Sequence, residues 1–386
     1  MHKSSTRRVL GVVGAAFTAV VSFILAVIPA GAMTVTFVRH AESQANADGI
    51  IDTKVPGPGL TDLGRTQADA VAAILNGQVH DGIYASTMIR TQQTAKPYAV
   101  LTNKEVMVVD GLQEISAGIL EGSSEDEGIG RLGYALAPIA WSLGLRFVKI
   151  PGAEDGNEFD ARVDAALADI EADGSDEPVV FSHGATIMFW TMMNVDNPDP
   201  TLLLTHQLDN TEAVVVEKND DGSWTLKSWG GEDVGPATLP VQLFVNTRDL
   251  IVAPQTALYN LGQDPSAGAG AQGVEDVAKA TVKFATDSVT DIGNAVKGLG
   301  SAAQSSAPAA KLTQKANGAT DLTAGNKVAP GGRVAEAVSR NNERVTEAVQ
   351  DVRNEISASI KKAGDTVKKV ADAAKDAADG AKKDAA

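Results

Sequence analysis

Thr34-Val-Thr-Phe-Val-Arg39-His40-Ala-Glu-Ser43-Gln-Ala-Asn46 is the stretch on which the fold turns. Its first five residues are β-branched or aromatic, as a strand prefers, and they run directly into an arginine and a histidine. The same order, strand and then polar residues, recurs downstream. Ile83–Ala85 reads as a strand followed by a helix from about Met88, Val106–Val109 as a third strand, and Pro178–Ser182 as a fourth, followed by a helix over Ala185–Met193. Between them, Thr61-Asp62 caps a helix over Gly64–Leu75, and Asn157–Ile170 has helical periodicity with Glu158 near its start. Thr211–Glu217 and Ser223–Trp229 flank Asn219-Asp-Asp-Gly222, a hairpin signal. Strands that alternate with helices imply an α/β fold whose sheet is mostly parallel and covered on both faces.

Ligands of such sheets bind beyond the carboxyl ends of the strands. Four strand exits deliver Arg39, His40, Arg90, Glu114 and His183. Two guanidinium forks suit a tetrahedral oxyanion. One imidazole can attack phosphorus and hold the phosphoryl group covalently, and a second can donate to oxygens on which charge builds. A carboxylic acid can protonate a leaving alcohol and later take a proton from water. Taken singly, a histidine at a strand end has an ordinary structural explanation, and a lone arginine or glutamate is usually a solvated charge. Five such residues, each at a strand exit, outweigh those explanations. No H-E-x-x-H metal motif and no P-loop is present.

At these residues the chain resembles the histidine phosphatase superfamily, also called phosphoglycerate mutase-like. Phe37–Asn46 resembles the opening R-H-x-E-S-x-x-N signature, and Leu60–Ala68 resembles the following L-T-x-x-G-x-x-Q-A helix. Tyr84–Ala95 resembles the second arginine motif, Leu112–Gly122 the acid loop and Val180–Gly184 the second histidine motif. The resemblance implies a three-layer α/β/α sandwich. It also implies that His40 is the nucleophile, that Arg39, Arg90 and His183 line a phosphate pocket, that Ser43 and Asn46 add hydrogen bonds to it, and that Glu114 is the proton donor. Asn210-Thr211 falls where the family often has an Asn-Ser/Thr pair; His80 and His206 match no motif and are taken as structural. Ala41 replaces the usual glycine after the nucleophile. Gly184-Ala185 after His183, in place of His-Asp, sets the chain in the branch whose acid lies in the L-x-E loop. No long insertion of the kind that closes over a mutase substrate is evident, so a phosphatase acting on small monoesters is expected ahead of a mutase. No cofactor is implied. Specificity is expected in Gly122–Gly152, which carries no readable motif.

The flanks differ in character. The chain has 386 residues with Lys+Arg 33 and Asp+Glu 49. Residues 1–32 carry three basic residues and no acid, residues 33–263 carry 13 basic and 33 acidic, and residues 264–386 carry 17 and 16. The acidic middle argues against nucleic-acid binding, which needs clustered cations, and favours small monoesters over polyanions such as inositol polyphosphates. With Cys 0, disulfides and zinc–thiolate sites are excluded. Arg7-Arg8, the charge-free run to Ala32 and the closing Ala30-Gly31-Ala32 have the order of a secretory signal peptide. A twin-arginine leader and an uncleaved membrane anchor are the rival forms. Export, to the medium or the cell envelope, is therefore expected. Residues 33–235 form the expected catalytic domain and 236–263 an apolar connecting segment, a last helix or a spacer.

From Asp264 the chain is a low-complexity tail rich in Ala, Lys and Asp, expected to be helical or disordered, with amphipathic stretches at 273–299 and 333–383. Val345, Ile356 and Val367 recur at an eleven-residue spacing, about 3.67 residues per turn, which favours a straight or right-handed helix over a heptad coiled coil. The stripe is thin, so a solvated helix without a partner and a helix that associates with a membrane or envelope both fit. A non-catalytic envelope protein built on a phosphatase-like domain is the alternative from another functional class.

Overall fold

A computed structural model describes residues 33–125 and 128–305; the expected export segment 1–32 and the second amphipathic stretch 333–383 lie outside the described residues. The described residues form two compact units, 33–142 with 148–235, and 143–147 with 236–305.

The first unit begins with β1 (Thr34–Arg39), α1 (Gln44–Ala47), α2 (Asp62–Leu75), β2 (Ile83–Ser86), α3 (Ile89–Thr102) and β3 (Met107–Val109). After a 3-10 turn at Gly118–Leu120 come α4 (Gly128–Ser142), α5 (Gly156–Ala172), β4 (Val179–Ser182), α6 (Gly184–Asn194), α7 (Leu202–Thr205), β5 (Ala213–Lys218), β6 (Trp224–Trp229) and β7 (Glu232–Asp233). The strands form one seven-stranded sheet in the order β3-β2-β4-β1-β5-β6-β7. β3, β2, β4 and β1 are parallel, and β5, β6 and β7 continue the sheet antiparallel. The hairpin signal is realised: Asn219 N–H donates to Ser223 O at 2.8 Å, and Gly222 takes the φ of 86° that the turn needs.

β1 shows why the sheet is a middle layer. Val35 and Phe37 enter one apolar cluster with Phe159, Val163, Leu167 and Trp190, which come from α5 and α6. Val38 enters another with Val71, Leu75 and Tyr98, from α2 and α3. Alternate side chains point to opposite faces, so both faces need helices, and the result is the expected α/β/α sandwich. Local signals set the helix starts. Thr61 caps α2 by accepting from Gly64 N at 2.9 Å, and Asp155 and Glu158 form a reciprocal capping box on α5.

Register aligns the exits of the parallel strands. Arg39 pairs with Ser182 across β1/β4, Ala85 with Phe181 across β2/β4, and Ser86 with Val109 across β2/β3. One row of residues therefore ends the parallel half of the sheet, and the polar loops begin just past it.

The second unit contains α8 (Leu239–Gln263) and α9 (Ala267–Ser305). The apolar connecting segment is thus mainly a helix, and the expected stretch 273–299 lies within α9. Asn246 of α8 donates to Ser288 Oγ at 3.3 Å and to Asp291 Oδ2 at 3.0 Å, so α9 folds back along α8. Gln255 Nε2 donates to Gly144 O at 2.7 Å within the same unit. No helix among the described residues is long and apolar enough to cross a membrane.

Candidate active site

His40 follows the last residue of β1, and its backbone N–H donates to Ser182 O at 3.0 Å, so the histidine is tied to the neighbouring parallel strand. Its Nδ1 lies 2.8 Å from its neighbour Ala41's carbonyl oxygen, an acceptor only, so Nδ1 carries the proton. Nε2 is left with a lone pair, and Arg90 Nε donates to it at 3.0 Å. The same Arg90 N–H reaches His183 Nδ1 at 3.3 Å. His183 Nε2 therefore holds that ring's proton and gives it to Ser86 Oγ at 2.8 Å. The two rings meet edge to face with centroids 5.1 Å apart. Burial holds both imidazoles well below the ordinary histidine value, and the Arg90 guanidinium reinforces the shift. Both rings are neutral at pH 7, as a nucleophile requires.

Arg39 donates through Nη1 to Leu208 O, and its Nη2 lies 3.9 Å from Glu125. Arg39 Nε and Arg90 Nη1 are buried donors with no hydrogen-bond acceptor among the described residues. A buried donor without an acceptor is costly, and here two belong to arginines that line one cavity. Gly184 makes room for Arg39, since a Cβ there would stand 3.2 Å from Arg39 Nε. Asn210 Nδ2 donates to His40 O at 2.8 Å; Thr211, at φ 68°, turns its N–H onto Arg39 O at 3.0 Å. The expected Asn-Thr pair thus holds the backbone of the Arg-His pair. Ala41 N–H donates to Thr94 Oγ1 at 3.0 Å, a bond that needs no glycine.

Ser43 and Asn46 line the same cavity, but their side chains are engaged with each other. Ser43 Oγ accepts from Asn46 N–H at 3.3 Å and donates to Asn46 Oδ1 at 3.0 Å, a capping box on α1. Asn46 Nδ2 donates to Glu125 Oε2 at 3.3 Å.

Glu114 reaches the site from the loop after β3. Its Oε1 accepts from Ile115 N at 2.9 Å and Thr186 N at 2.9 Å and lies 3.0 Å from Thr186 Oγ1, and its Oε2 accepts from Ala185 N at 3.1 Å. The carboxyl group thus sits at the amino end of α6, two to three residues past His183. Gly111 opens this loop at φ 93°, and a Cβ there would lie 2.3 Å from Arg162 O, so only glycine fits.

All five strand-exit residues converge. Arg39, His40, Arg90 and Glu114 line one cavity of about 270 Å³, and His183 stands behind it, fully buried and joined through Arg90. Met188, Phe189, Leu203 and Leu208 form its apolar wall. Asp52, Glu125 and Tyr134 also line it and carried no sequence signal. Tyr134 and Ala135 show that Gly122–Gly152 does supply part of the wall. His80 pairs with the hydroxyl of Tyr98 at 3.1 Å, and His206 with both oxygens of Glu212 at 3.2 Å, as structural histidines do.

A neutral imidazole facing two under-used guanidinium groups, with a carboxyl group on the neighbouring helix end, defines a class of protein that can take up a phosphoryl group on histidine. Residues 35–231, more than half of the chain, match the histidine phosphatase superfamily (branch 1), and the chain belongs to that family. Among curated relatives, the PE-PGRS family protein PE_PGRS11 of Mycobacterium tuberculosis (strain ATCC 25618 / H37Rv) is 46% identical over 274 residues, 65% of this chain and 47% of that protein. The chain therefore spans about half the length of that relative. The probable phosphoglycerate mutase GpmB of Enterobacter sp. (strain 638) is 34% identical over 164 residues, 40% of this chain and 71% of that protein. Of solved structures, a mycobacterial glucosyl-3-phosphoglycerate phosphatase complexed with VO3 is 23% identical with a TM-score of 0.43, covering 52% of this chain and 100% of that one.

Proposed function

We propose that the protein is an exported, metal-independent phosphatase that hydrolyses small phosphomonoesters through a phosphohistidine on His40. The observation that carries this is the tautomer of His40: Nδ1 is spent on Ala41 O, and the Nε2 lone pair stands beside Arg90 in a buried pocket. The phosphoryl dianion displaces Arg90 from that lone pair and takes the free N–H groups of Arg39 and Arg90. Nε2 then attacks phosphorus, the P–O bond to the alcohol breaks, and Glu114 in its acid form gives the leaving oxygen a proton. Water next attacks phosphorus, its proton returns to Glu114, the P–N bond breaks, and inorganic phosphate leaves. With the dianion bound, His183 takes a proton from solvent at Nδ1 and donates it as a hydrogen bond to the transferring oxygens.

Likeness to GpmB favours a second reading, a phosphotransferase that returns the group to another hydroxyl. Trapping distinguishes the two. A phosphatase forms an acid-labile phosphoenzyme on His40 and releases inorganic phosphate from p-nitrophenyl phosphate, with vanadate inhibiting and EDTA without effect. A mutase retains the label until a second phosphoester forms. Loss of turnover in EDTA would refute metal independence.

The acidic balance of residues 33–263 supports small substrates, because a polyanion meets net repulsion beyond the reach of the pocket arginines, about 8–10 Å in salt. Faster turnover of phytate than of a sugar monophosphate would overturn that preference. Residues 1–32 support export, and a mature amino terminus at Met1 would refute cleavage. The striped residues 333–383 support envelope association, which co-sedimentation of the full chain with anionic vesicles would test.

A further inference from the structure

Residues 111–115 form no ladder, yet Leu112 and Ile115 are fully buried, so the carbonyls of this loop must find donors from elsewhere. Each one does. Ser182 Oγ donates to Leu112 O at 2.7 Å, Thr186 Oγ1 to Gln113 O at 2.9 Å and Tyr134 Oη to Ile115 O at 2.6 Å. Arg162, on α5, reaches three of them: Nη1 donates to Gly111 O and, at 2.9 Å, to Gln113 O, and Nη2 approaches Glu114 O at 3.5 Å. Its remaining N–H groups make a bidentate pair with Glu154, Nε to Oε2 at 2.7 Å and Nη2 to Oε1 at 2.8 Å. Glu154 Oε1 also accepts from Ser116 N at 3.2 Å, so the pair grips both ends of the loop. The guanidinium lies over the Phe159 ring at 5.0 Å, which fixes its plane.

We propose that Arg162, oriented by Glu154, is a positioning residue for Glu114: it sets the backbone of the acid loop so that the carboxyl group stands at the end of α6 facing the leaving oxygen. The proposal rests on Glu114 as the proton donor. A lysine cannot replace it fully, because one ammonium lacks the planar fork that serves several carbonyls and a carboxylate at once.

The test is leaving-group dependence, which a merely structural residue does not move. In the full chain, Arg162→Lys, Arg162→Met and Glu154→Gln are compared on glycerol phosphate, whose alkoxide needs a proton, and on p-nitrophenyl phosphate, whose phenolate does not. The ratio of the two rates is expected to fall about tenfold in each variant, the scale of a weakened general acid. In a Glu114→Gln background, Arg162→Lys should change the ratio little further. Equal slowing of both esters, or an undiminished effect in that background, overturns the proposal. Should Arg162→Met fail to fold, Arg162→Lys, which keeps charge and stem, carries the test. Phosphoenzyme formation and p-nitrophenyl phosphate turnover by the unsubstituted chain are independent of this outcome, so failure here is distinguishable from failure of the phosphatase assignment.

Discussion

The two sides of the pocket are built by different means. On the phosphate side, Arg39, His40 and His183 extend directly from parallel strands whose register is locked by the sheet, and Arg39 and Ser182 are paired neighbours. On the acid side, Glu114 hangs from a loop whose carbonyls are held by side chains of α4, α5, β4 and α6. A ladder distributes its load over many backbone bonds. A stapled loop depends on a few side chains, so single substitutions reach it from a distance. The acid side should therefore be the more sensitive of the two to changes in its supports.

The largest effect should come from His40→Ala, which removes the proposed attacking atom. Turnover and the acid-labile phosphoenzyme should both vanish in a quenched-flow labelling experiment, and a surviving phosphoenzyme would place the nucleophile elsewhere. Arg90→Ala should cost about 10²–10³ in kcat, the scale of one lost oxyanion donor. It should slow p-nitrophenyl phosphate and alkyl esters alike, because Arg90 serves the phosphoryl group. Glu114→Gln should do the opposite: alkyl esters slow by about 10²-fold, within the range of general acid catalysis, while p-nitrophenyl phosphate is largely spared. Parallel losses in these two variants would erase the division of labour between the sides.

Protonation sharpens the same contrast. His40 and His183 have folded values well below 6.5, so they are neutral in the native state while an unfolded chain binds protons below 6.5. Their contribution to stability is complete above 6.5 and is lost as pH falls from there toward the folded values, by up to about 1.4 kcal/mol per pH unit for each ring. Chemical denaturation between pH 7 and 5 should show that slope, and His183→Gln should shallow it. The smallest change expected is in Gly184→Ala. Gly184 opens α6, where the interior advantage of alanine does not apply, and a Cβ 3.2 Å from Arg39 Nε should displace that side chain and raise KM for phosphate esters. An unaltered KM would show that Arg39 can shift without loss.

The phosphate side was legible in the chain because β-rich runs and the strand-exit rule act on short segments. Arg39, His40, Arg90 and His183 could be placed together without coordinates. Ser43 and Asn46 were expected to add hydrogen bonds to the phosphate pocket; they line it, with their side chains paired to each other in a capping box on α1. Asp52, Glu125, Tyr134 and Arg162 were not legible. Each lies in a loop or on a helix with nothing local to mark it, and each meets the site only because separate elements pack there.

From its order of residues alone, this chain determines an α/β sandwich and the chemical kit at its strand exits, since alternation and propensity are local properties. Which nitrogen of His40 is free, where the Glu114 carboxylate rests and which distant arginine holds it there are decided only by tertiary packing. They depend on which buried donor finds which acceptor once the layers close.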